Sequence, residues 1–382
     1  MAIKRSELRV DAVEKLNGET KYIRDERIDG LIFGTTIRSK ISHGKIKSIT
    51  FDKNFDWTSF TIVDYKDIPF NHVAFLELDM PFLVEDTVKY LGEPILLLAN
   101  ENKDLLKLAH NHINIEYDEY PSLFDIRKSE NSEIKIYKEN NVIKDIRINK
   151  GNIEEAKNIS AKTIKISTET GFQEHLYLEP QGLVAIPEDN RIVIKGSMQC
   201  PYYIKNALEK MFENRYKITI IQATTGGAFG GKEDFPSLLG GHAAILSIKA
   251  KRPVAMFYDR EEDILYTTKR HPSVADYTAY VTNEGKILGL ELNFLIDGGA
   301  YSTLSTVVLS RGALTSAGCY HIPNAKIVAK ALATNTVPSG AFRGFGGPQA
   351  VFGIEMLIEK IAKELNLPPL EIRKINLIEQ GM

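Results

Sequence analysis

Two short glycine-rich stretches carry the residue types with which a backbone can grip an anion. The first, Thr224-Thr225-Gly226-Gly227-Ala228-Phe229-Gly230-Gly231-Lys232-Glu233-Asp234, follows a strand-like run (217–223) and precedes a helix-like one. Strand, glycine loop and helix is the arrangement in which successive N–H groups cradle negative oxygen atoms. The stretch lacks the Gly-Lys-Ser/Thr ending of a Walker loop and the Gly-x-Gly-x-x-Gly spacing of a dinucleotide fold. Alone, it reads equally well as a turn that needs positive φ. The second stretch, Pro338-Ser339-Gly340-Ala341-Phe342-Arg343-Gly344-Phe345-Gly346-Gly347-Pro348-Gln349, repeats the mixture of glycine, aromatic and cation and again enters a helix. Arg343 offers a planar fork of donors suited to phosphate or metal-oxo oxygens. Two loops of the same chemistry suggest two sides of one cofactor pocket.

The elements that must position these loops are partly legible. Alternating runs predict strands at 30–39, 45–51 and 60–69. A buried strand at 94–99 leads to a helix over 102–111, with Leu105, Leu106 and Leu108 on one side, and then to a strand at 113–117. From 126 to 158 the chain is polar and charged, which predicts a surface connection between domains with room for a short strand. Beyond it, strands are expected at 162–170, at 182–199 as a hairpin through Pro187–Asn190, and at 217–223. A helix follows Pro201, a second follows the first glycine loop and ends before Pro253, and a third, strongly periodic, covers 349–365. More strands are expected between 254 and 299.

Composition excludes several classes. The 382 residues are 43% hydrophobic and 26% charged, with a net charge of −2, so nothing calls for nucleic acid or an acidic membrane surface. Two cysteines, Cys200 and Cys319, make neither a disulfide framework nor a paired metal-ligand spacing. The start, MAIKRSELRV, has no apolar signal core, and the longest apolar run, 95–99, is far too short to span a bilayer. A cytoplasmic protein is expected.

GGAFGGKE and AFRGFGGPQ resemble the paired loops of the xanthine dehydrogenase/aldehyde oxidase family of molybdenum hydroxylases. GFQEHLYLEPQG, SMQCP and DREEDILYTTKRHP agree in order and flavour, as do RVDAVEKLNGETKYIRD, RSKISHGKI and VKYLGEP in the first third. The resemblance implies an α+β chain: a hammerhead α/β domain (1–125), the connecting segment (126–158) and a first, mixed α/β molybdopterin-binding domain (159–382). It implies that Gln199, Phe229 and Arg343 surround molybdenum, the Gln199 side chain and the backbone at Phe229 and Arg343 bonding its oxygen ligands. Gly226, Gly227 and Gly230 would let the backbone approach the cofactor. Glu233 and Arg311 match the pair that holds the polar edges of a purine, and Phe345 matches an aromatic that packs on the heterocycle.

The resemblance further implies molybdopterin in its cytosine dinucleotide form, and oxidation of xanthine or hypoxanthine with water as oxygen source. A nicotinate-type N-heterocycle or an aldehyde is the alternative. [2Fe-2S] clusters and FAD would sit on partner subunits. Full-length members carry a second molybdopterin-binding domain that supplies the general-base glutamate, and no residue here matches it. LGEP at 91–94 superficially resembles that motif, but Glu93 fits the hammerhead pattern better. A split enzyme whose partner chain supplies the missing half is therefore expected, with a truncated, non-catalytic remnant as the alternative.

Overall fold

The computed structural model describes residues 9–379, so most of the Met1–Val10 stretch and the final Gln380–Met382 lie outside it. The chain opens with α1 (Ala12–Leu16), then β1 (Ile32–Arg38), β2 (Gly44–Phe51), β3 (Thr61–Val63), β4 (Thr87–Val88) and β5 (Pro94–Asn100). Asn102 caps α2 (Lys103–Ala109) by accepting the N–H groups of Asp104 and Leu105, and β6 (Ile113–Glu119) follows. Next come α3 (Ile126–Ser129), β7 (Val142–Lys150), α4 (Ile153–Ile159), β8 (Lys162–Thr170), β9 (Gly182–Glu188) and β10 (Arg191–Gly196). Pro201 starts α5 (Pro201–Met211), β11 (Lys217–Gln222) leads into the first glycine loop, and α6 (Phe235–Ala250) leaves it. β12 (Val254–Phe257), α7 (Arg260–Tyr266), β13 (Ser273–Val281), β14 (Ile287–Gly299), α8 (Ser305–Thr315) and β15 (Asn324–Ala333) bring the chain to the second loop. It leaves that loop through α9 (Gly347–Leu365) and α10 (Pro369–Asn376).

Three sheets result. The largest has seven strands in the order β11-β10-β9-β12-β1-β5-β3, the second has five in the order β7-β15-β14-β13-β8, and the third is β4-β2-β6. β1 runs parallel to β12, with Ile32 opposite Val254. One continuous sheet thus joins strands from both sides of residue 125. α6 is buried on every side from Phe235 to Ser247, as expected of a helix that is apolar all round. It lies between the large sheet and α5, so the glycine loop at its N-terminus is anchored on a rigid core. α9 buries Ile354, Leu357, Ile358 and Ile361 against β8 and β13, which fixes the exit of the second loop. Among the described residues no helix is long and apolar enough to cross a membrane.

Three local expectations are corrected, and one helix is added. The strand expected at 60–69 is only Thr61–Val63, because Asp64 caps a single helical turn at Tyr65–Asp67. α2 buries Leu106 and Ala109, while Leu105 and Leu108 face outward, because the helix rests on the sheet by the opposite edge of its leucine stripe. The polar stretch 126–158 is not a mere connection. It supplies α3, α4 and the nine-residue β7, which pairs along the length of β15 from Ala325↔Lys150 to Leu332↔Val142. Its polarity is that of an edge strand with one wet face. α8, which no helix signal in the sequence marks, carries Arg311.

Candidate functional site

The two glycine loops meet backbone to backbone. Arg343 N–H donates to the Phe229 carbonyl at 2.9 Å. Gly230 makes the approach possible: its φ is +106°, and a Cβ there would lie 2.8 Å from the Ala341 carbonyl oxygen. Gln199, between β10 and α5, braces the same turn. Its N–H donates to Lys232 O at 2.7 Å, and its Oε1 accepts from Gly230 N–H at 2.9 Å and Lys232 N–H at 3.3 Å. With the oxygen so engaged, the exposed Gln199 side chain turns its amide NH₂, a pure donor, outward. The Phe229 side chain is half exposed, its φ is +53°, and its N–H has no hydrogen-bond partner among the described residues.

A buried polar network holds the loop from below. Lys232 is fully buried, and its Nζ donates to Glu179 Oε2 and Ser197 Oγ, each at 2.9 Å. Burial holds the Lys232 pKa below its ordinary value although Glu179 pulls it up. Glu179 Oε2 also accepts the Gly226 N–H at 2.7 Å, and Glu179 N–H donates to Gly226 O. Gln181 Nε2 donates to Gly231 O at 2.6 Å. Across the junction, His175 Nε2 donates to Ala341 O at 2.8 Å while its ring stacks on Phe342 at 4.3 Å. Burial pushes the His175 pKa down to about 4, so the imidazole is neutral. The Arg270 guanidinium lies 3.9 Å from the Phe342 ring centre and donates to Arg343 O at 3.1 Å. Sequence reasoning missed Lys232, Glu179, His175 and Arg270 in these roles; the one available signal was a lysine inside a glycine loop.

The remaining sequence-derived candidates fall around this junction. Glu233 follows Lys232, half-buried, with no hydrogen-bond partner for its carboxylate among the described residues. Burial raises its pKa. Cys200 is its neighbour: the thiol is pushed up to about 11 by burial and then by the Glu233 and Asp234 charges. Asp234 caps α6, accepting from Phe235 N–H, and burial raises its pKa to about 7. Phe345, half-buried with φ +46°, packs on the main core. Arg311 is exposed on α8, whose Gly312 abuts Gly346 of the second loop. A Cβ at Gly346 would meet the Val308 carbonyl oxygen at 2.2 Å, so this glycine is what lets α8 bring Arg311 beside the loop. Glu93 lies elsewhere, 1% exposed, its carboxylate accepting from Tyr301 OH and Lys89 N–H. It is a buried bolt between β5 and the segment after β14.

The Arg343 N–H is committed to Phe229 O, so Arg343 has only its exposed guanidinium to offer a ligand, while Phe229 keeps its amide free. The donors without a protein partner among the described residues are therefore the Gln199 NH₂ and the Phe229 N–H, both beside Gly230 at the loop junction. That donor set fits the oxygen-rich metal end of a molybdenum–pterin group. No cluster of three or more His, Cys, Asp or Glu among the described residues could hold a bare metal ion.

Comparison with known proteins identifies both parts of the chain. Residues 135–377 match the molybdopterin cofactor-binding domain, and residues 17–121 match the aldehyde oxidase and xanthine dehydrogenase a/b hammerhead domain. The chain is 31% identical over 380 residues to a probable xanthine dehydrogenase subunit of Bacillus subtilis, covering 98% of this chain and 51% of that protein. It is 30% identical over 383 residues to the nicotinate dehydrogenase large molybdopterin subunit of Eubacterium barkeri, covering 99% of this chain and 89% of the relative. The aldehyde oxidoreductase of Desulfovibrio gigas superposes with a TM-score of 0.88 at 25% identity, over 98% of this chain and 43% of that one. Quinoline 2-oxidoreductase from Pseudomonas putida 86, at 24% identity and a TM-score of 0.90, shares the fold over 50% of its length. The chain thus spans about half, or less, of several relatives and most of one. Its paired loops, its hammerhead strands and these matches together place it in the xanthine dehydrogenase/aldehyde oxidase family of molybdenum hydroxylases, with a hammerhead domain and a molybdopterin cofactor-binding domain.

Proposed function

We propose that this chain forms one side of the molybdenum site in a multi-subunit hydroxylase that oxidises a purine, xanthine or hypoxanthine, with water as oxygen source. The observation that carries the reading is Glu233. Its carboxylate is half-buried at the glycine junction, raised in pKa, and without a protein partner among the described residues. A desolvated acid left unpaired is costly unless a ligand pairs with it. It is suited to hold a ring nitrogen or carbonyl edge. Arg311, beside the second loop, would stabilise negative charge that develops on the heterocycle. Phe345 would pack on its face.

The molybdenum–molybdopterin group, in its cytosine dinucleotide form, would supply two-electron acceptance. Gln199 NH₂ and Phe229 N–H would hold it by its oxygens, and Gly226, Gly227 and Gly230 would keep the approach open. The general base and the remaining cofactor contacts would come from a second molybdopterin-binding subunit. An iron–sulfur subunit and an FAD subunit would carry electrons away. The assembly is expected in the cytoplasm.

A second reading, hydroxylation of nicotinate, is favoured by one observation: the relative of nearly matching length is a nicotinate dehydrogenase subunit. There Arg311 would pair the ring carboxylate. Steady-state kinetics of the assembled enzyme on xanthine, hypoxanthine, nicotinate and an aldehyde separates the two. The highest kcat/KM on a purine supports the first reading; turnover of nicotinate without purine turnover overturns it.

A further inference from the structure

A cleft of about 690 Å³ opens on the face of the seven-stranded sheet that carries Phe33, Thr35, Ala255 and Phe257. No residue of either glycine loop lines it. One wall is α2, where Lys103, Lys107 and His110 share a face by their spacing. The other is α7, with Arg24, Arg38 and Lys40 completing the rim. Five permanent cations therefore face three carboxylates, Asp259, Glu261 and Glu262, in a protein whose net charge is −2. Two of those carboxylates are already engaged. Glu262 pairs with Arg38 at 2.8 Å, and Asp259 caps α7 by accepting the Glu262 N–H.

Arg24, Lys40, Lys103 and Lys107 form no ion pair with any described carboxylate. A basic helix face is usually just solvated, but two of these side chains are held over the cleft floor. Lys103 Nζ lies 4.0 Å from the Phe33 ring centre, and the Arg24 guanidinium lies 5.1 Å from that of Phe257. His110, within 3.1 Å of Thr35 Oγ1, senses the field: burial lowers its pKa first, then the Arg38 and Lys40 charges. The volume lies in the range of small-molecule sites. Lys and Arg nitrogens that outnumber the carboxylates of the cleft suit phosphate oxygens.

We propose that this cleft binds a small phosphate-bearing anion through Arg24, Lys40, Lys103 and Lys107. The test is isothermal titration of the full chain with inorganic pyrophosphate. Saturable one-to-one binding is expected, weakened by at least about tenfold in Lys103→Glu/Lys107→Glu. Lys360→Glu, a charge reversal on α9 outside the cleft, should leave binding unchanged. Should the double reversal unfold the chain, Lys103→Gln/Lys107→Gln serves in its place. In histidine-labelled protein, pyrophosphate should raise the titration midpoint of the His110 resonance, identified by its loss in His110→Gln. Absence of saturable binding, equal weakening in Lys360→Glu, or an unmoved His110 midpoint would each overturn the proposal.

Discussion

The N–H of Arg343 donates to the carbonyl of Phe229 at 2.9 Å, joining two loops that lie more than a hundred residues apart in sequence. Gly230 is the residue that permits it. In Gly230→Val a Cβ would press on the Ala341 carbonyl from a backbone at φ +106°, at a strain cost of about 1–3 kcal/mol. The variant should melt earlier and retain far less molybdenum when produced with its partners. Circular dichroism and metal analysis on the same preparation check both. Wild-type metal content in a folded variant would remove the junction from the cofactor site.

Lys232 and Glu179 form a pair whose members are 0% and 10% exposed. Lys232→Met leaves the Glu179 charge buried and alone, and should cost about 3–5 kcal/mol in urea unfolding. Lys232→Met/Glu179→Gln should recover much of that loss. A double variant no better than the single one would show that the pair is held by the Ser197 and Gly226 contacts rather than by charge.

Glu93 gives a pH dependence with a defined sign. Burial raises its pKa from 4.5 to about 7, so the folded chain keeps a proton that the unfolded chain releases above the ordinary glutamate value. Between these values stability should fall as pH rises, by up to about 1.4 kcal/mol per pH unit for one proton, and level off above the folded pKa. Asp234, raised from 3.8 to about 7, adds in the same direction. Glu93→Gln should flatten its share of the slope. Urea midpoints between pH 5 and 8 measure it; parallel profiles for variant and wild type would contradict the assignment.

Glu233→Gln and Arg311→Met should each cut purine kcat/KM of the assembled enzyme by about a hundredfold, the scale of losing one charge-stabilising donor. Molybdenum per chain should stay near the wild-type level, since neither side chain braces the loops. Equal losses of metal and turnover would make these residues structural. Undiminished turnover in both would leave the purine reading without its carriers.

Much of this architecture is legible in the residues themselves. The strand at 162–170 and the helix beginning at Pro201 follow from alternation and from proline at a first turn. The glycine loops announce themselves because close backbone approach leaves few residue types to choose from. Other features depend on partners remote in sequence. β7 looks like linker until β15, which lies about 180 residues on, supplies its ladder. α8 lacks a strong apolar stripe, so nothing local marks the helix that carries Arg311. The hydrogen bond from the Arg343 amide to Phe229 depends on loop-to-loop register and has no sequence signal. Nor does the cationic cleft, whose walls come from α2 and α7.

Above all, this chain should build one side of a molybdopterin site that a second molybdopterin-binding polypeptide or segment completes. Anaerobic affinity purification from the native cells, with metal analysis and identification of every co-purifying chain, tests this most directly. Close to one molybdenum per chain is predicted, together with polypeptide carrying the second molybdopterin-binding half. A folded chain recovered alone and free of molybdenum and pterin would contradict it.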